Sequence, residues 1–188
     1  MNEKLTIQDI AGFCPEEAVW KMMADVSTFL IKDKKGGFLT PYSIEVDGNT
    51  FIVETCNEAV GEYLAPEQDT SQMLDARQMV WTLGSIAYYM ATGHVVFGGH
   101  GSNYQKDHPS APLPVLPKGL QELTPILQKC LCHAPHERIS MQDLNDISLH
   151  GLKSCEERQR KLAKATIDER KEISQDTGDK WPEEMIEI

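Results

Sequence analysis

The chain has 188 residues and a net charge of −11, and its 40% hydrophobic and 25% charged residues are typical of a soluble globular protein. The acidic surplus argues against a nucleic-acid partner, which requires a basic face. No apolar run approaches the roughly 20 residues that span a membrane, and the first residues lack the apolar core of a secretion signal. Because the five cysteines have no disulfide-like spacing, we expect a cytoplasmic protein. From the charge and the lack of a long apolar run, we expect neither a nucleic-acid partner nor a membrane partner.

The first third of the chain predicts two helices and a β-hairpin. Residues 5–10 favour a short helix or a capped turn, and Pro15 with two following acids opens a longer helix. The lysines at 32, 34 and 35 and the pair Gly36-Gly37 end that helix. Alternating apolar residues on both sides of Asp47-Gly48-Asn49 then predict a hairpin with a tight turn.

The rest of the chain predicts mainly helices. Residues 76–91 are apolar on almost every face, so this helix belongs in the centre of the fold. Residues 98–117 are rich in glycine and proline and predict a long loop. Residues 120–131 form an amphipathic helix, in which Pro125 marks either a kink or a late start.

A capping box at Ser140 begins a further helix, and residues 153–174 predict an exposed, charged helix. The fold is therefore predicted to be mainly α, with about six helices and one small hairpin. We assign residues 1–150 to one domain and residues 151–188 to a charged helical extension with a loosely ordered tail.

Four stretches, in chain order, resemble the large C-terminal lobe of the protein-kinase fold. LTPYSIEVDGNTFIVE (39–54) is similar to the catalytic loop, the following hairpin and the metal-binding step, and EYLAPE (62–67) to the end of the activation segment. VWTLGSIAYYMATG (80–93) is similar to the buried central helix, and LQKCLCHAPHERIS (127–140) to the last conserved block. Their order and spacing together make the resemblance specific over roughly residues 5–150.

The resemblance also implies that the catalytic groups are missing. The places of the family's H-R-D fall on Gly36, Gly37 and Phe38, so that an aromatic ring replaces the catalytic base. The lysine that steadies the transferred phosphate falls on Thr40, and the metal-binding asparagine falls on Ser43. The metal-binding aspartate falls on Glu54, and a single carboxylate makes a poor magnesium site.

The family's small lobe, with its β-sheet and its Gly-rich loop over the phosphates, has no counterpart in this sequence. The resemblance therefore implies a pseudokinase without enzymatic activity and without a nucleotide or other cofactor. It also implies that Glu67 and Arg138 form the structural ion pair of the kinase scaffold.

Four potential metal ligands lie close together in the sequence, namely Cys130, Cys132, His133 and His136. Their spacing does not match that of a zinc finger, because no second C-x-x-C or H-x-x-x-H pair lies nearby. We interpret them as core and turn residues, with a metal-binding regulator as the alternative.

The loss of a small lobe predicts an exposed apolar surface around Phe38, Ile44, Phe51 and Val53. Either bulky side chains fill the cleft floor, or another chain covers it, and we expect a protein partner or a second copy of this chain to cover this cleft face. Other candidate partner-binding residues are His94, His100 and Tyr104 in the loop 94–117 and Trp181 in the tail. The favoured hypothesis is a noncatalytic interaction module, and the alternative enzymatic hypothesis is a kinase half completed by a separate small lobe.

Overall fold

The computed structural model describes residues 4–32, 37–68, 75–113 and 115–178, with side chains as far as residue 167. Six α-helices and a two-stranded antiparallel sheet make up the regular structure of these residues, together with four short 3-10 helices. The predicted mainly α fold with a small hairpin is confirmed. The chain divides into two compact units, Met1–Leu152 and Lys153–Ile188.

The first two helices begin and end where the sequence predicts. Helix α1 (Ile7–Ile10) follows Thr6, whose backbone N–H and hydroxyl each donate to the Asp9 carboxylate at 2.8 Å. Helix α2 (Glu16–Lys32) starts directly after Pro15 and carries two acids in its first turn, where the helix dipole favours them. Its buried face provides one wall of the core.

The hairpin pairs strand β1 (Ile44–Asp47) with strand β2 (Thr50–Val53) through a two-residue turn. Gly48 occupies the turn with a φ of 58°, a left-handed conformation that glycine adopts without strain. Asp25 of α2 accepts a 3.0 Å hydrogen bond from the backbone N–H of Phe51, which ties β2 to α2. This bond also occupies part of the outer edge of the strand.

The predicted exposure of Ile44, Phe51 and Val53 is wrong, because all three are buried. Side chains alternate along a strand, so that these three residues share one face of the hairpin, and β2 packs against α2. The opposite face carries Glu45, Ile52 and Glu54. The surface that the hairpin leaves open is therefore largely acidic rather than apolar.

Helix α3 (Ala76–Thr92) crosses the centre of the fold, as its apolar sequence predicts. Asp75 caps its N-terminus by accepting from the backbone N–H groups of Arg77 and Gln78. Gly93 ends the helix in the left-handed conformation, with a φ of 74°. Halfway along, Gly84 lies so close to Cys130 that a β-carbon would sit 2.5 Å from the Cys130 Cβ.

Helix α4 (Ser102–Asp107) lies inside the segment predicted to be a long loop, and the prediction is wrong for these residues. The buried Gln105 amide accepts from the Trp81 indole N–H at 3.0 Å and donates to the Leu131 carbonyl at 2.7 Å. The helix is thus held by tertiary hydrogen bonds rather than by its own short sequence.

Helix α5 (Thr124–Cys130) has Pro125 in its first turn, so that the proline marks a late start and causes no kink.

Helix α6 (Met141–Gly178) is continuous through both of the segments that the sequence predicts to be helical. Within the first unit, its Asn145 amide donates to the Ala24 carbonyl and to the hydroxyls of Ser27 and Thr28. Among the helices described, none combines the length and the apolar character needed to cross a bilayer.

Candidate functional site

A cleft of about 290 Å³ opens at the N-terminal end of the hairpin, where the kinase resemblance locates the catalytic groups. Lys4 and Thr6 form one side of the cleft, and residues 40, 42 and 43 form another. Glu45 and residues 54–56 complete it. Three of the four predicted degenerate positions, Thr40, Ser43 and Glu54, therefore meet in one cleft, and Phe38 lies beside it.

Phe38 is held through its backbone. Its N–H donates to the Cys56 carbonyl at 2.8 Å, and the Cys56 N–H donates back to the Phe38 carbonyl at 3.0 Å. The side chain is half-buried and is not part of the cleft lining. A hydrocarbon ring at this position has no acceptor for a proton. The companion position Gly36 lies outside the described residues.

Thr40 and Ser43 are buried and bonded to each other across the 3-10 helix Pro41–Ser43. The Thr40 N–H donates to the Ser43 hydroxyl at 2.9 Å, while the Ser43 N–H donates to the Thr40 hydroxyl at 3.2 Å. The Ser43 hydroxyl in turn donates to the Thr40 carbonyl at 3.0 Å. Both side chains therefore serve as a reciprocal cap of a single turn.

Glu54 points to solvent, with 73% of its side chain exposed. Its carboxylate lies 3.5 Å from the Lys4 ammonium, which also lies 2.7 Å from the Glu45 carboxylate. The hydrogen bond that Lys4 donates to Glu45 and the negative charges of the two carboxylates raise the pKa of Lys4 above its ordinary value. A lysine ammonium thus sits between the two acids of the cleft.

The structure brings Glu67 and Arg138 together in a bidentate ion pair, with both N–O distances at 2.7 Å. The Arg138 side chain is fully buried and also donates to the carbonyls of Arg77, Cys132 and His133. These five bonds match the five N–H donors of a guanidinium. Arg77 donates in turn to the Arg138 carbonyl, so that the pair joins the start of α3 to the turn before α6.

The Cys/His candidates lie in different environments. Cys130 is fully buried, and burial raises the pKa of its thiol. Cys132 is half-buried and donates to the Gln128 carbonyl, and desolvation raises the pKa of its thiol as well. His136 lies exposed in the 3-10 helix Pro135–Glu137. Over the described part of the chain, no three His, Cys, Asp or Glu side chains lie close enough to hold a metal ion.

The remaining partner-binding candidates do not form one surface with the cleft. His94 and His100 are exposed, and Tyr104 is 40% exposed and stacks on the His108 ring at a centroid distance of 4.2 Å. None of them lines the cleft, and Trp181 lies outside the described residues. Phe51 is buried and offers no surface to a partner.

The cleft residues that sequence reasoning missed include its other two charged residues, Lys4 and Glu45. The alternation of the hairpin carried part of the signal, since it places Glu45, Ile52 and Glu54 on one face. Lys4 had no such signal, because the segment that carries it reaches the cleft by pairing with β1, at Thr6 with Glu45 and at Leu5 with Val46.

No family model matches this chain. The dual specificity protein kinase Ttk of Danio rerio is 32% identical over an alignment of 111 residues, which covers 52% of this chain. The chain spans 11% of the length of that relative. The match indicates a kinase-like relationship for about half of the chain.

Proposed function

We propose that this chain is a noncatalytic, kinase-like module, a pseudokinase C-lobe, that acts through protein binding. The observation that carries the proposal is the use of Thr40 and Ser43 as a reciprocal cap. The resemblance matches these positions to the phosphate-steadying lysine and the metal-binding asparagine. Their hydroxyls are buried and bonded to the neighbouring backbone, so they are not presented to a ligand.

The other two matched positions also support the absence of phosphoryl transfer. Phosphoryl transfer depends on positioned cations and a base that act together. Phe38 provides no base, and the Glu54 carboxylate neighbours an ammonium rather than standing free for a divalent metal. The cleft volume of about 290 Å³ is also at the lower end of the roughly 300–1,000 Å³ that small-molecule sites occupy.

The experiment is a nucleotide titration of the purified chain. We expect no change in melting temperature with millimolar ATP and magnesium, because a ligand stabilises only the state that binds it. Incubation with radiolabelled ATP and a generic protein substrate should give no incorporation. Stabilisation by micromolar ATP would contradict the proposal, and the same assay with a kinase small lobe added in trans tests the half-enzyme alternative.

A further inference from the structure

Glu45 and Glu54 form a cation-binding position in the cleft, here called the seat, and the ammonium of Lys4 occupies it. The ammonium lies 2.7 Å from the Glu45 carboxylate and 3.5 Å from that of Glu54. The Lys4 side chain is 60% exposed and that of Glu54 is 73% exposed, so the seat is open to water. Ion pairs between exposed groups are weak, which means that a cation from another molecule competes with Lys4 for these acids.

The lining of the cleft suits a guanidinium better than an ammonium. Besides the two carboxylates, the polar residues Thr6, Tyr42 and Thr55 line the space, although the Thr6 hydroxyl already donates to Asp9. A guanidinium presents five N–H donors in a plane and bridges two carboxylates, whereas an ammonium has three donors around one point. The volume of about 290 Å³ lies just below the roughly 300–1,000 Å³ of small-molecule sites, which favours an occupant as small as a single side chain.

Apolar surface lies next to the seat. Ile52 is 41% exposed and is the cross-strand partner of Glu45, so that both side chains lie on the same face of the hairpin. Tyr42 is 63% exposed at the border of the cleft. A partner that inserts a cation here also has an aromatic ring and an aliphatic side chain to contact.

We propose that the cleft binds an arginine side chain from an extended, basic segment of a partner protein, which displaces the Lys4 ammonium. This inference rests on the proposed noncatalytic function, because a nucleotide would compete for the same space. Charge complementarity identifies the occupant: the seat is acidic, and the net charge of −11 attracts basic partners over a longer range.

The test uses a blocked peptide, Ala-Ile-Arg-Ile-Ala, with lysine and neutral citrulline versions as probes, titrated into ¹⁵N-labelled protein by NMR. We expect shifts at Thr6, Glu45, Ile52 and Glu54, with affinity falling from arginine to lysine to citrulline. Glu45→Gln with Glu54→Gln should weaken binding of the arginine peptide about tenfold. The matched control, Asp107→Asn with Glu122→Gln, removes two other exposed acids and should change affinity by less than about twofold.

A second pair of variants keeps the inference falsifiable if the double glutamine variant does not fold. Lys4→Ala removes the internal competitor and should strengthen binding of the arginine peptide roughly two- to fivefold. Lys118→Ala removes the same charge from an exposed position outside the cleft and should have a smaller effect. Equal effects of Lys4→Ala and Lys118→Ala, or no binding of the arginine peptide, would overturn the inference. ATP shifting the same resonances would overturn the proposed function instead, so the two failures are distinguishable.

Discussion

Arg138 makes five side-chain hydrogen bonds, which close a network between Glu67, the start of α3 and the turn before α6. A buried guanidinium is stable only when its donors are all satisfied. Replacing it would leave a carboxylate and three carbonyl groups without their partner. The residue therefore governs local order well beyond its own position.

We predict that Arg138→Ala lowers the free energy of unfolding by about 3 kcal/mol, near the lower end of the range for buried pairs because Glu67 stays partly hydrated. Arg138→Lys keeps the charge but loses the bidentate geometry, so it should lower the free energy of unfolding by less than Arg138→Ala does. Urea unfolding monitored by circular dichroism measures both. The exposed Arg160→Ala is the control and should change stability by less than about 0.5 kcal/mol. Equal stability of Arg138→Ala and Arg160→Ala would contradict the prediction.

Cys130 is a second residue whose environment fixes its chemistry. It is fully buried, and desolvation raises the pKa of its thiol, so that the reactive thiolate is scarce at neutral pH. We predict that Cys130 resists maleimide at pH 7.5 in the folded protein and reacts once urea exposes it. Peptide mass spectrometry after timed labelling measures this. Rapid labelling of Cys130 without denaturant would show that the α3–α5 contact opens readily.

Some of these sites were predictable from the sequence and others were not. The Glu67–Arg138 contact was implied by the resemblance of two stretches to kinase motifs, since kinases pair the glutamate of one motif with the arginine of the other. The position of Lys4 at the seat was not predictable, because no local pattern in the sequence indicates which segment pairs with the outer edge of a hairpin. The exposure of Ile44, Phe51 and Val53 was predicted wrongly because the hairpin buries this face within the first unit, where β2 packs against α2, and needs no small lobe to cover it.

At the scale of elements, α4 shows where local sequence is insufficient. Its six residues lie among glycines and prolines that favour a loop, and its backbone approaches Glu62 at Gly101, where a β-carbon would sit 2.1 Å from the Glu62 carbonyl oxygen. The stabilising contacts come from Trp81 and Leu131, which are distant in sequence. Periodicity alone cannot reveal a helix of this kind.

We predict that Gln105→Leu lowers stability by about 1–3 kcal/mol, because it leaves the Trp81 indole N–H and the Leu131 carbonyl buried without partners. Amide hydrogen exchange should quicken in residues 102–107 more than in α3. The control is Gln142→Leu, which removes an exposed glutamine from α6 and should leave exchange in α4 unchanged. Unchanged exchange in α4 of the Gln105→Leu variant would show that the two hydrogen bonds do not hold the helix.

Helices α2, α3 and α6 were easier to predict, because long periodic segments and caps outweigh single unfavourable residues. Gly151 is such a residue: it weakens a helix locally, yet it gives the Trp20 ring space, since a β-carbon there would lie 2.5 Å from the ring. The sequence therefore predicted the helices well but not the close approach that requires a glycine at this position.

At the scale of the whole molecule, the first unit contains the central helix, the cleft and the Glu67–Arg138 pair. A unit with its own core is expected to fold alone. The predicted boundary at residue 150 remains a prediction, because no measurement of independent folding bears on it.

We predict that a chain ending at residue 160, which keeps two turns of α6 beyond Leu152, unfolds cooperatively with a melting temperature within a few degrees of the full chain. Differential scanning calorimetry makes the comparison, and a second truncation at residue 140, which removes α6 with Asn145, serves as the destabilised reference. A non-cooperative transition for the 160-residue chain would show that residues 161–188 are needed for folding.

The bond from the Phe51 amide to Asp25 restricts how this protein can change over time. Because side chains on a strand switch sides with each residue, sliding β2 by one residue against β1 would carry its apolar side chains outward and its carboxylates inward. Asp25 accepts from the Phe51 N–H in one alignment of β2 only, so such a slide would also lose this anchor. Descendants that lengthen the Gly48-Asn49 turn are therefore expected to accommodate the added residues in the loop and to keep the pairing of the strands.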